Sequence, residues 1–455
     1  MLTSRYSAPD FNPYGDEYTD EPDALWPAPS AQGALVATLS LPGSKSLTAR
    51  ELILSALSDG SSRLCAPLHS QDTDHMVSAL RALGVVIEEK PGTGHFGPDL
   101  EITPPTELIG STTIDCGQAG TVMRFVPPVA ALALGPTSFD ADASARSRPI
   151  ESVITALRSL GVDISDEGRG KLPFTIHGRG SVRGGETTID ASLSSQFVSS
   201  LLLSASRFEE GLTLHHVGER LPSLPHIDMT IAALAARGIR VESPEEGHWH
   251  VAPGVPQSRT VTIEPDLSNA APFLAAAVAT RGHITLTGWP EMTTQVGSEL
   301  LDLLPHFGAT VERVGTTVTV SGPERILGVE LDLHTGGELA PALVALSALA
   351  DEPSVFTGIG HIRHHETDRL ATLTHNITAL GGDVTEDADG LTVRPRPLRA
   401  GVWNSYDDHR IATAGAIIGL AVPGIEIENI RSTAKTLPQF TELWAGLFSP
   451  EPQPR

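Results

Sequence analysis

The sequence predicts an α/β (α+β) fold made of six copies of one strand–helix unit, and three observations carry that prediction. A helix of small apolar residues follows a polar turn six times, a Gly-ended phrase closes a second helix five times, and β-like alternation follows each. The apolar helices lie in segments 42–60, 115–135, 189–211, 264–282, 331–352 and 405–424. The second helices end in LRALG (80–84), LRSLG (157–161), LAARG (234–238), LLPHFG (303–308) and ITALGG (377–382). There Gly serves as the helix C-cap and the next residues start a strand. Each unit therefore reads strand, helix, strand, helix, strands, over about 65–80 residues.

Six units in 455 residues imply two domains of three units each. Helices such as LAAAVA (274–279) and ALVALSALA (342–350) are apolar all round and should be buried, with the more polar second helices outside. One domain is expected over 43–264, the other over 34–42 plus 265–445, with the break near 254–265. Residues 34–41, ALVATLSL, form a lone strand expected to pair with units four to six. The stretch 1–33, with YGDEYTDEPD, is expected to be a disordered acidic tail, and 446–455 a C-terminal tail.

A formal charge of −24 disfavours nucleic acid and anionic membranes as partners. No apolar run demands a membrane span, residues 1–30 lack a basic-then-apolar leader, and two cysteines do not make a disulfide scaffold. A cytoplasmic monomer is expected. Against that acidic background the few cations stand out. LPGSKSLTAR (41–50) sets Lys45, Ser46 and Arg50 around a Gly turn at a helix start, where free N–H groups and the helix dipole attract an anion. Only four lysines occur, and Lys45 and Lys435 both sit in Ser/Thr-rich turns. With Arg124, Arg148, Arg369 and Arg410 they point to a cationic pocket drawn from both domains.

LPGSKSLTAR, AGTVMR (119–124), RPI (148–150), SSQF (194–197), HETDRL (365–370), DDHR (407–410) and AKTLP (434–438), in this order, resemble the 5-enolpyruvylshikimate-3-phosphate synthase family over about residues 34–445. The resemblance implies a two-domain enolpyruvyl transferase fold, three βαβαββ units per domain with pseudo-threefold symmetry. It also implies transfer of the enolpyruvyl group of phosphoenolpyruvate to the 5-hydroxyl of shikimate 3-phosphate, with loss of phosphate and with no metal or organic cofactor. Carried onto this chain, phosphoenolpyruvate falls to Lys45, Gly120, Arg148, Gln196, Arg369, Arg410 and Lys435. Shikimate 3-phosphate falls to Ser46, Arg50, Ser194, Ser195, Gln196, Ser223, Glu338, His361 and His365. Gln118, Thr121, Arg124, Asp408 and His409 are supporting residues. Glu338 is implied as base, with Glu366 or Lys45 as proton donor, and Gly120 as the mark of sensitivity to glyphosate.

The chain departs from the family pattern in Glu338, where Asp is common, in His361 and His365, where Asn and Lys are common, and in Gln118, where Asn is common. If His365 replaces a Lys as a phosphate contact, it must be protonated. Two alternatives are a uridine-diphosphate-N-acetylglucosamine enolpyruvyl transferase, prompted by Cys116 at a helix approach, and a non-catalytic repeat scaffold.

Overall fold

The computed structural model describes residues 25–218 and 220–449. Five four-stranded sheets repeat one topology, a parallel pair extended by two antiparallel strands. In the second unit, for example, Thr112–Asp115 runs parallel to Leu134–Asp140, which pairs antiparallel with Phe174–Arg179 and, through it, with Asp163–Ser165. The apolar helix Gly120–Ala131 joins the parallel pair, and Glu151–Ser159 leads into the antiparallel strands.

The central helices are buried because most of their faces are apolar or small, and the charged side chains that Lys45–Ala56 buries are partnered, as Glu51 is by Arg237. Lys45–Ala56, Gly120–Ala131 and Gln196–Ala205 pack together in the core of one lobe. Ala270–Thr280, Ala340–Ser347 and His409–Ala421 do so in the other. The outer helices close as the repeated phrase demands. Gly84, Gly161, Gly238, Gly308 and Gly381 take φ of +92°, +89°, +79°, +92° and +95°. This left-handed geometry is cheap only for Gly. In the first of these caps Gly84 N–H donates to Arg81 O and Val85 N–H to Leu80 O, at 3.0 and 3.1 Å.

The chain crosses between lobes twice, side by side. Val36–Ser40 completes the sheet of unit four by running parallel to His283–Thr287. Thr260–Thr262 completes the sheet of unit one by running parallel to Arg63–Cys65. At the crossing Gly43 bridges Pro265, Ser44 N–H donates to Glu264 O (2.7 Å), and Asp266 N–H to Pro42 O (2.9 Å). A Cβ on Gly43 would stand 2.4 Å from Ala66 O, so only Gly lets these backbones approach.

Three sequence expectations need correction. Part of the tail placed at 1–33 is built into the fold: Trp26–Pro27 pairs antiparallel with Glu426–Ile427, and Ala28 is buried. Among the described residues the sixth unit has only Gly401–Trp403 and Ile425–Ile427 of its own, so this segment supplies its antiparallel edge. The remainder of the acidic stretch lies outside the described residues. The tail placed at 446–455 begins inside structure, since Phe440–Gly446 is helical and Leu447 is 2% exposed. The second helix of unit four is broken into Val296–Glu299, Leu300–Leu303 and Leu304–Phe307, the outer two being 3₁₀ turns. Pro305 has no N–H to continue an α-helical ladder. Among the described residues no helix is long and apolar enough to cross a membrane.

Candidate active site

The helix starts of the repeats meet at the seam between the lobes, around a cleft open to solvent. Of the residues singled out in the sequence, Lys45, Ser46, Gly120, Thr121, Arg124, Arg148, Ser194 and Gln196 line one wall. Glu338, His365, Glu366, Arg369, His409, Arg410 and Lys435 line the other.

On the first wall the two arginines rest on neutral partners, while Lys45 is set against a carboxylate. Ser44 caps Lys45–Ala56, and the Lys45 N–H is held by Asp266 Oδ2 at 2.9 Å. Lys45 Nζ lies 3.4 Å from Asp72 Oδ2. Gly120 opens its helix with no side-chain cap, leaving first-turn N–H groups toward the cleft. Arg124 Nη1 donates to Gln196 Oε1 (2.8 Å) and Arg148 Nη1 to Gln118 O (2.7 Å). Burial, then the neighbouring Arg148, pushes the Arg124 pKa down to about 10, still a cation at neutral pH. Among the described residues the buried Nε of Arg124 and of Arg148 have no hydrogen-bond partner. Two guanidiniums facing each other with spare donors suit an incoming dianion.

On the second wall two of the three cations, Arg369 and Lys435, are held by carboxylates. Arg369 donates from Nε and Nη2 to Asp408 at 2.8 and 3.0 Å, and from Nη2 to Glu366 Oε2 at 2.8 Å. Lys435 Nζ donates to Glu366 Oε1. Burial alone would raise the Glu366 pKa, but Lys435 and Arg369 together hold it well below the carboxylate range. Asp408 also caps His409–Ala421, which sets Arg410 so that Nη1 donates to Ser268 O at 2.7 Å. At the seam Glu338 Oε1 accepts from Ser268 Oγ and Oε2 pairs with His226 Nε2, both at 2.8 Å. Burial raises its pKa too, yet His226 and Arg410 outweigh that and keep it ionised.

Several expected contacts do not reach the cleft. Arg50 is 1% exposed and donates to Thr230 Oγ1, Ser46 O and His226 O at 2.8, 2.9 and 2.8 Å, so its guanidinium is spent inside the first lobe. Ser195 is buried at the start of Gln196–Ala205. Gln118 offers its carbonyl to Arg148, and Asp408 acts through Arg369. Ser223 sits at the seam in the left-handed region (φ +53°), its N–H donating to His334 O at 3.2 Å. His361 packs behind Glu338, where a Cβ on Gly337 would meet its Nε2 at 2.5 Å. Burial brings its pKa down to about 4.

His365 overturns the expectation of a cation. Burial and then Arg369 drive its pKa well below the ordinary value, and its Nδ1 lies 3.0 Å from Arg369 Nη1, which can only donate. The ring is neutral. Cys116 is fully buried, and burial, then Asp115 and Asp140, pushes its thiol pKa up. It is therefore poorly placed for thiol chemistry.

His226, Ser268, Asp266 and Asp72 line the cleft and were missed. Ser268 and Asp266 carried a signal, since EPDLSNA is the polar turn of unit four and such turns all converge here. His226 carried none, being on an outer helix, Leu224–Ala235.

A two-lobed fold with six cations and two ionised carboxylates across its seam defines an enzyme for small multiply charged anions. The EPSP synthase (3-phosphoshikimate 1-carboxyvinyltransferase) family model matches residues 29–444. A curated 3-phosphoshikimate 1-carboxyvinyltransferase of Kocuria rhizophila is 51% identical over 434 residues, 94% of this chain and 98% of that one. An EPSP synthase structure from Acinetobacter baumannii matches with TM-score 0.76 at 24% identity, covering 92% of this chain and 97% of that one. The enolpyruvyl transferase NikO of Streptomyces tendae matches with TM-score 0.71 at 19% identity, covering 94% and 98%. The chain belongs to the EPSP synthase family, and the two structures share its two-domain fold.

Proposed function

We propose that this protein transfers the carboxyvinyl group of phosphoenolpyruvate to the 5-hydroxyl of shikimate 3-phosphate and releases inorganic phosphate. The observation that supports this most is the spread of cations over the cleft, with Arg124 and Arg148 keeping spare donors on one wall, Arg369 and Lys435 bound to carboxylates on the other, and Glu338 at the seam. Phosphoenolpyruvate and shikimate 3-phosphate together bring two phosphates and two carboxylates, which such a cleft would bind through charge-assisted hydrogen bonds.

In the addition the hydroxyl O–H breaks, the oxygen bonds to C2, and C3 gains a proton to become a methyl group. Glu338, ionised and at the seam, fits the role of acceptor for the hydroxyl proton. Glu366 is ionised as well, so it cannot donate in this state, and the C3 proton falls to Lys45. In the elimination the C2–O bond to phosphate breaks and C3 returns a proton, which the Glu366 carboxylate is suited to take. Lys45, Arg124, Arg148 and Arg410 would offset the charge on the departing phosphate. A single chain supplies both walls, so we take the monomer as the working unit.

Phosphate release measured with each substrate omitted in turn tests this. Phosphate should appear only with phosphoenolpyruvate and shikimate 3-phosphate together. Release that instead requires uridine-diphosphate-N-acetylglucosamine would replace this reading with the sister activity, against which the buried Cys116 already weighs.

A further inference from the structure

We propose that His226 is a positioning residue for Glu338, a cross-lobe partner that holds the proton acceptor ionised and aimed at the reacting hydroxyl. The inference rests on the transferase reading above. His226 belongs to the first lobe and Glu338 to the second, and their Nε2 and Oε2 atoms meet at 2.8 Å with both side chains largely buried. His226 is itself fixed, because its carbonyl accepts from Arg50 Nη2, Thr230 Oγ1 and Ser199 Oγ at 2.8, 3.0 and 3.3 Å. Three residues earlier, Ser223 N–H clips onto His334 O of the second lobe.

Glu338 is thus gripped from both sides, by His226 on Oε2 and by Ser268 Oγ on Oε1. A carboxylate has about four lone-pair sites, so each oxygen keeps room for a hydroxyl proton. During addition the proton passes to this carboxylate while the His226 Nε2–H stays on Oε2. Other charges facing Glu338 are Arg410 from His409–Ala421, Arg50 from Lys45–Ala56, Arg369, His361 from the turn Gly360–His364, and Glu299 from the turn Val296–Glu299. His226 is the strongest of the groups that lower its pKa against the effect of burial.

The test is steady-state phosphate release from pH 5 to 9 by the wild-type chain, His226→Gln, His226→Ala, Glu338→Gln and the double variant His226→Ala/Glu338→Gln. His226→Ala should lower kcat at least about tenfold, part of the 10²–10⁴ a positioned base contributes, with the KM for phosphoenolpyruvate nearly unchanged. Its acid limb should move to higher pH, because burial then raises the Glu338 pKa unopposed by the imidazole. His226→Gln keeps an N–H donor and should recover most of kcat while retaining the shifted limb. The His226→Ala change should cost nothing further once Glu338 is Gln. A His226→Ala enzyme with the wild-type kcat and acid limb, or equal losses in the presence and absence of Glu338, would overturn the pairing. A wild-type chain that releases no phosphate refutes the transferase reading instead, so the two failures are distinct.

Discussion

The two walls of the cleft carry similar numbers of cations but hold them differently. Arg124 and Arg148 lean on a side-chain amide and a backbone carbonyl, with an unpartnered Nε each. Arg369 and Lys435 are bound to Asp408 and Glu366 within a buried network. The arginines of the first wall therefore lack a carboxylate, whereas Arg369 and Lys435 on the second are already compensated. Substitutions at the compensated pairs should damage the fold as well as the chemistry, whereas Arg148→Ala should damage chemistry alone.

Asp408→Ala should have the largest effect, since it strips Arg369 of its bidentate partner. Breaking a buried pair by removing one member costs about 3–5 kcal/mol, because the other charge stays buried. Both the thermal midpoint and turnover should fall, and a variant with an unchanged midpoint would break the contrast between the walls. Lys435→Met belongs to the same class, because Lys435 is 4% exposed and its loss leaves Glu366 under-compensated.

Lys45→Met and Arg148→Ala come next. Arg148→Ala removes a charge-assisted contact, worth roughly 1.5–3 kcal/mol per hydrogen bond, so kcat/KM should drop by one to two orders of magnitude, and Lys45→Met, which also removes the C3 proton donor, should lower it further. The thermal midpoint should hardly move for Arg148→Ala, as Arg148 bonds a backbone carbonyl, and only modestly for Lys45→Met, as Lys435 also faces Asp72. Calorimetry alongside phosphate release separates this outcome from that of Asp408→Ala.

Gly120→Ala sharpens the picture of the first wall. The added Cβ would lie 3.1 Å from Arg124 Nη1 and 3.8 Å from Gln196 Oε1, so the guanidinium must shift slightly. The wild-type enzyme should be inhibited by glyphosate. The variant should raise the inhibition constant more than the phosphoenolpyruvate KM, within the ~1–3 kcal/mol of a typical overpacking cost. Equal changes in both constants would sink this placement of Gly120.

The smallest effect concerns the histidines of the second wall. His361 is half-buried, and that burial brings its pKa down to about 4, so between that value and the ordinary 6.5 the unfolded chain binds more protons than the folded one. Stability should then rise with pH across that window and be lost as pH falls through it, by about 2 kcal/mol at pH 5. His361→Asn should flatten this dependence in thermal melts. Because His365 is neutral, His365→Asn should leave the pH dependence of substrate affinity between pH 6 and 8 unchanged.

Much of the architecture was legible because it is periodic. Five Gly residues close five outer helices in the same left-handed turn, and a reader needs only the repeated phrase to place them. The site was legible where a repeat's polar turn held a cation, as in Lys45, Arg124 and Arg410. It was illegible where tertiary contact decides a residue's role. Nothing local says that Arg50 turns inward to Thr230 and His226, or that His365 meets Arg369 and loses its charge. His226 and Glu338 are far apart in the chain, and only closure of the lobes makes them a pair.

The double crossing also sets a schedule for synthesis. Val36–Ser40 emerges early, yet its partner His283–Thr287 follows only after all of 43–264 has been made. At ~5–20 residues per second, the strand waits on the order of 10–50 s. Through that interval the nascent chain carries an unmatched β-edge, so folding of the second lobe is timed by translation of the first.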